Sequence, residues 1–317
     1  MRQIFPLYLG MLLISTGSLI SCRQAPTPTI QASAKPVTVT VTLPPQAYFV
    51  QRIGGDRVQV NTLIEAGIDP HTYEPKPEQL RQMANSQLYL AIGGGMEQGW
   101  LSRFTGTNPQ LQVTDTSQGI TKIPQVFAEH NHNHGDDHGD DHGDKHGEKS
   151  PGQENESGLD PHIWLSPRLV KQQAQTIYQA LVRQDPQHQA TYQANLQQFL
   201  TELDQLDQQI RQQLKPVKNR AFMMFHPEWG YFAKDYGLKM LAIQAEGQEP
   251  SAGQLADIIK QAKQNQVKVI FTQPEFNPQT AEVIAKQLGI KVIPISALSG
   301  DWKNNLQQVT QILAENL

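Results

Sequence analysis

Short apolar runs that alternate with amphipathic stretches occur in two blocks along this chain, one on each side of a long glutamine-rich helical pattern. That arrangement limits the folds open to the chain more than any single motif does. In the first block, Val37-Thr-Val-Thr-Val-Thr-Leu43 alternates with period two, and Val58 to Ile64 and Leu88 to Ile92 are further strand patterns. Helical patterns lie between them, from Tyr48 to Ile53, from a first-turn proline at Pro77 to Ala84, around Trp100, and onward from Pro167. In the second block, strands are expected from Ala221 to Phe225, Leu238 to Ile243, Val267 to Thr272 and Lys291 to Ile295. Helices are expected near Tyr231, from Ala252 to Gln264, from Pro278 to Leu288 and from Asn304 to Leu313. Between the blocks, Tyr192, Leu196, Phe199, Leu203, Leu206 and Ile210 recur at three- and four-residue spacing within Gln187 to Leu214. That stretch is an amphipathic helix with a narrow apolar stripe, about 40 Å long at about 1.5 Å per residue. The expected fold is α/β, with two lobes, each a sheet flanked by helices, joined by one long rigid helix. The lobes are assigned to 37–186 and 216–317, and the helix to 187–215.

A length of 317 residues suits about two domains of roughly 150 residues each. With 38% apolar and 18% charged residues, the chain is neither a multi-span membrane protein nor a disordered one. A net charge of -4 gives no electrostatic reason to expect nucleic acid as a partner. The single cysteine, Cys22, rules out an intrachain disulfide framework and a thiolate metal cluster. Arg2 followed by the apolar run from Leu7 to Ile14 is too short to span a bilayer and reads as an export signal, assigned to residues 1–21. Leu19-Ile-Ser-Cys22 resembles the bacterial lipobox, whose cysteine is lipidated and becomes the new N-terminus. Residues 22–36, rich in Pro, Thr and Ala, then form a flexible tether. The mature chain is expected to work outside the cytoplasmic membrane, anchored through Cys22.

Ten histidines stand against that one cysteine, and nine of them divide into two groups. His130, His132, His134, His138, His142 and His146 lie in a glycine- and aspartate-rich segment, 129–158, which interrupts the first block. Without apolar residues it cannot form a core, and it reads as a flexible comb that binds several divalent ions weakly. Binding there should fade as imidazole protonates below about pH 6. His71, His162 and His226 stand apart, each at a loop beside a proline. Two of them occur in the same tripeptide, Asp69-Pro-His71 and Asp160-Pro-His162. Ligand sites in open α/β sheets gather outside the carboxyl ends of strands. Three imidazoles with an open fourth position are the zinc-compatible set this chain can offer. His188 sits on the long helix without an evident role. Met223, Met224, Trp164 and Trp229 are expected to be apolar packing behind the site.

At this point the residues match a family. Gly67-Ile-Asp-Pro-His-Thr-Tyr-Glu-Pro-Lys-Pro77, Asp160-Pro-His-Ile-Trp-Leu-Ser-Pro167, Phe225-His-Pro-Glu-Trp-Gly-Tyr-Phe232 and Thr272-Gln-Pro-Glu-Phe276 carry the resemblance. The chain resembles the metal-binding lipoproteins and periplasmic proteins of zinc and manganese ABC importers, the zinc-uptake type in particular. The resemblance implies a metal bound in the cleft between the lobes by His71 and His162 from the first and His226 from the second. It also implies Zn2+ as cargo, an ABC permease as partner, attachment to the membrane by the lipid anchor alone, and a monomer. Manganese-type relatives add two carboxylates, at positions that fall near Ala242 and Ser296 here. Their loss favours zinc, because imidazole suits Zn2+ and hard Mn2+ prefers oxygen. Water, Glu74, Glu228 and Asp301 remain open as the fourth ligand. Many zinc-type members also carry a second-lobe disulfide that this chain cannot form. The alternatives are a manganese or other divalent-metal carrier, a zinc hydrolase with Glu228 as general base, and a surface adhesin. The hydrolase lacks an HExxH helix pairing.

Overall fold

The computed structural model describes residues 35–93, 95–126, 158–244 and 248–317. The export signal, Cys22, the tether up to residue 34 and the six histidines from 130 to 146 lie outside the described residues. The first lobe contains β1 (Val37–Val41), α1 (Pro44–Gly54), β2 (Val58–Thr62), α2 (Pro77–Ala84), β3 (Leu88–Ala91), α3 (Gly95–Thr107), β4 (Gln112–Asp115) and α4 (Pro167–Gln184). After α5 (Gln189–Leu214), the second contains β5 (Ala221–Met224), α6 (Gly230–Tyr236), β6 (Lys239–Ala242), α7 (Ala252–Gln264), β7 (Val269–Thr272), α8 (Gln279–Leu288), β8 (Lys291–Pro294) and α9 (Trp302–Asn316).

Both sheets are parallel throughout and share one strand order, β2-β1-β3-β4 in the first lobe and β6-β5-β7-β8 in the second. Each lobe starts in the middle of its sheet and adds strands on both sides. Connections therefore leave in opposite directions at β1/β3 and at β5/β7, opening a crevice at the strands' carboxyl ends. Helices cover the faces, so even Thr40 of β1 is buried, and it hydrogen-bonds Ser86 at 2.6 Å. The expected strands overrun the observed ones by one or two residues, because buried apolar residues such as Leu43, Ile64, Ile243 and Ile295 continue past the last ladder bonds. β4 carries little burial and no apolar alternation, so no pattern announces it.

Helix ends follow local chemistry. Ser166 caps α4 by accepting the Leu169 N–H at 3.2 Å, and Pro167 occupies the first turn, where its missing N–H costs nothing. α6 closes on Gly237 in the left-handed region (φ 66°), a conformation that favours glycine.

The expected stripe on α5 is the buried one: Tyr192, Leu196, Phe199, Leu203, Leu206, Ile210 and Leu214 all face inward. The helix touches both lobes. Asn195 Nδ2 donates to the Ile53 carbonyl of α1 at 2.9 Å, and Arg211 donates to the Asp235 carbonyl of α6 at 3.0 Å. Trp302, at the start of α9, returns to the first lobe and packs edge-on to Phe49 at 5.0 Å. One apolar core consequently runs from β1 through α5 to the Phe222, Met224 and Phe271 face of the second sheet. The alternate residues Met223, Phe225 and Ile270 form a separate core under α7 and α8. Among the described residues, no helix is long and apolar enough to cross a membrane.

Candidate metal centre

His71 follows β2 in the Gly67–His71 turn, His162 opens the short turn before α4, and His226 follows β5 directly. The repeated Asp-Pro-His tripeptide has a common geometry. Asp69 Oδ1 accepts the His71 N–H at 2.9 Å, and Asp160 Oδ1 accepts the His162 N–H at 2.9 Å. Each aspartate closes a turn on the residue two positions on, while the proline between them limits the backbone. The motif therefore makes a rigid bracket that aims an imidazole.

The brackets bring the three rings together. One ligand atom from each of His71, His162 and His226 lies within 4.8 Å of the others, and these form the group of this kind among the described residues. His71 Nε2 approaches His226 Nε2 to 3.0 Å, and the ring centroids lie 4.8 to 6.3 Å apart. His162 and His226 are buried, whereas His71 is exposed and turns its Nε2 inward.

The second nitrogens of the buried pair are engaged. His162 Nδ1 meets Asp160 Oδ1 at 2.7 Å, and His226 Nδ1 meets Gln244 Oε1 at 2.9 Å. An acceptor at Nδ1 keeps the proton there and leaves the Nε2 lone pair for a ligand, as behind metal-bound histidines generally. Gln273 holds the His226 backbone from both sides, with Nε2 donating to its carbonyl at 2.6 Å and Oε1 accepting its N–H at 3.3 Å. Trp164 packs on His162 and Phe276 on His226, closing the apolar surround. Burial lowers the pKa of His71, with His162 adding to the effect. Burial lowers that of His226 further, reinforced by its two imidazole neighbours. The rings of His71 and His226 are therefore neutral donors over a wider pH range than free imidazole.

The three candidate acids lie elsewhere. Glu74 is exposed and pairs with Arg103 at 2.6 Å, and Asp301 accepts from Asn304 at 2.8 Å. Glu228 is fully buried and bonded to Gln273; burial, then the neighbouring Glu275, push its carboxyl well above the usual range. Burial of this kind disfavours the carboxylate that an anionic ligand or a general base would need. Ala242 is a buried strand residue, and Ser296 Oγ accepts the Leu298 N–H at 3.2 Å. Met223, Met224 and Trp229 are buried in the apolar cores, as expected. His188 pairs with Asp185 at 2.6 Å, away from the site. Asp160, Gln244 and Gln273 escaped sequence reasoning. The repeated tripeptide signals the first of these; neutral amides on loops carry no signal.

Two parallel-sheet lobes on a shared core, with three convergent histidines contributed by both, fit the class of bilobal solute-binding proteins of transport systems. Residues 39–317 match the family described as the periplasmic zinc-uptake complex component A, ZnuA, and the chain belongs to it. The high-affinity zinc uptake system protein ZnuA of Bacillus subtilis (strain 168) is 28% identical over 266 residues, covering 83% of this chain and 78% of its own. The zinc-binding lipoprotein AdcA of Streptococcus pneumoniae (strain ATCC BAA-255 / R6) is 26% identical, covering 90% of this chain and 55% of its own. This chain thus spans about half the length of that relative. A crystal structure of ZnuA matches with a TM-score of 0.79 at 40% identity, covering 89% of this chain and 99% of the other. The family is extracytoplasmic and serves an ABC transporter permease.

Proposed function

We propose that this chain captures Zn2+ outside the cytoplasmic membrane through the Nε2 atoms of His71, His162 and His226 and delivers it to the permease of an ABC importer. The observation that carries this is the convergence of three imidazole nitrogens within 4.8 Å, with no carboxylate among them. Neutral nitrogen donors suit borderline Zn2+, whereas Mn2+ prefers oxygen. Water completes a tetrahedron around the ion, and no covalent bond is made or broken. Cys22 anchors the chain, as a monomer, through its lipid. His130, His132, His134, His138, His142 and His146 form an auxiliary, weaker metal-binding loop that collects zinc, passes it on or senses its excess.

The test is native mass spectrometry with zinc and with manganese, on the intact chain and on one lacking residues 130–146. The shortened chain should retain one zinc and hold no manganese under the same conditions. His71→Ala in that background should lose the retained zinc. Unchanged tight binding in the variant overturns the assignment of His71, and preferential retention of manganese overturns the choice of metal.

A further inference from the structure

His162 belongs to a segment that precedes α4 of the first lobe, yet its neighbours bond to the second. Trp164 Nε1 donates to the Ala297 carbonyl at 2.8 Å, and Trp302 Nε1 donates to the Trp164 carbonyl at 2.7 Å. Ser166 Oγ donates to Asp235. Nearest the site, the buried hydroxyl of Tyr231 on α6 accepts the Ile123 N–H at 3.2 Å and donates to the Asp160 carbonyl at 2.7 Å. The Ile123 carbonyl accepts the Asp160 N–H at 2.8 Å, so the three groups form a closed ring of hydrogen bonds.

Both backbone polar groups of Asp160 are thus fixed, one of them by a side chain of the other lobe. Its carboxylate is fixed as well. Oδ1 takes both the N–H and the Nδ1 of His162, and Oδ2 lies so close to Gly230 that a Cβ on Gly230 would penetrate it. Adjacent residues of the second lobe therefore seat the first-lobe carboxylate that aims a proposed ligand. Tyr236, on the same helix, gives the contrast: its hydroxyl bonds Asp207 Oδ1 at 3.0 Å on α5, away from the histidines.

We propose that Tyr231 is a positioning residue of the metal centre, holding the Asp160 carbonyl from the second lobe so that the Asp160 carboxylate aims His162 Nε2 at the ion. This rests on the zinc-binding reading above. Phenylalanine at 231 keeps the ring but removes the partner of both the Asp160 carbonyl and the Ile123 N–H. The Asp160–Pro161 peptide is then free to tilt, and the Asp160–His162 bond loosens with it. Removing the group that orients a metal-bound histidine weakens binding about 10- to 100-fold. Tyr231 acts one step further back, and the lower end of that range applies.

Tyr231→Phe, Tyr236→Phe, Asp160→Asn and the double variant Tyr231→Phe/Asp160→Asn are compared in the full chain. Chelator competition gives the tight-site zinc affinity, and histidine 15N NMR of the metal-free protein gives the His162 tautomer. Tyr231→Phe should weaken zinc binding about tenfold and convert a single Nδ1–H tautomer into a mixture. Tyr236→Phe should lower the melting temperature yet leave affinity and tautomer unchanged. In the Asp160→Asn background, Tyr231→Phe should add about twofold or less, since both substitutions weaken the same Asp160–His162 bond. If Tyr231→Phe does not fold, Gly230→Ala, which displaces Asp160 Oδ2, is judged by the same two readouts. Wild-type affinity together with a single His162 tautomer in the folded variant overturns the role of Tyr231. Absence of tight zinc binding in the wild type overturns the zinc reading instead, and the tautomer of the metal-free protein still decides the positioning role.

Discussion

Acid should strip an exposed set of imidazoles of zinc well before it empties the centre formed by His71, His162 and His226. An imidazole with an ordinary pKa of about 6.5 is protonated about ten to one at pH 5.5, which costs a metal about 11-fold per ligand. Three such ligands together cost about a thousandfold between pH 7.5 and 5.5. In this protein, burial and neighbouring imidazoles lower the pKa of His71 and, more strongly, of His226. Proton competition from these two is correspondingly reduced. The loss over that interval should therefore fall short of a thousandfold. The assay is chelator competition at pH 7.5 and 5.5 on the chain lacking residues 130–146, corrected for protonation of the chelator. Calorimetry in buffers of different ionisation enthalpy gives the protons released per zinc, and fewer than the full complement for three free imidazoles is expected at pH 5.5. A thousandfold loss with release of nearly three protons would show that the imidazoles titrate as though in water, and the argument from burial would fail. The same shifts act on the metal-free fold. Below about pH 6.5 the unfolded chain binds protons that His71 and His226 resist in the fold, so stability should fall as pH drops from that value toward their folded pKa values.

Two further expectations concern stability. The raised pKa of Glu228 means that above the ordinary carboxylate range the unfolded state releases a proton that the folded state keeps, so stability declines as pH rises through that window. Glu228→Gln lacks this slope. It should be more stable than wild type at pH 7.5, with an advantage that shrinks toward pH 4.5 in urea titrations; an advantage that is constant or reversed refutes the upward shift of Glu228. Trp302 is buried, packs on Phe49 and donates to the Trp164 carbonyl, so it ties α9 to both α1 and the His162 segment. Trp302→Ala should cost about 3–5 kcal/mol of unfolding free energy, and a loss under about 1 kcal/mol would show that the shared core does not couple the lobes.

Most of the fold was legible because one-sided burial leaves a period in the sequence. Val37 to Val41 alternates, the α5 stripe recurs at helical spacing, and Ala252–Gln264 has its capping serine immediately before it. β4 was illegible for the converse reason: Gln112–Asp115 is an edge strand with little burial, specified by pairing with β3 more than by its own composition. The three histidines were legible because they stand outside the histidine-rich segment and two share the Asp-Pro-His bracket.

The sequence by itself determined the residue types open to a metal, the two α/β blocks and the helix between them, since these follow from composition and local periodicity. Tertiary structure alone decided which acids stay away from the imidazoles, and which side chains orient them. Glu228 lies two residues from His226 yet is buried and bonded to Gln273, while Glu74 turns to Arg103. Gln244 and Gln273 stand 18 and 47 residues beyond His226, and converge on it because β5, β6 and β7 are neighbours in a parallel sheet. Asp160 is seated by Gly230 and Tyr231 of the second lobe. Local sequence selects a ligand's chemistry and its bracket. The direction and charge of that ligand depend on groups that meet it only when both sheets and the core between them have formed.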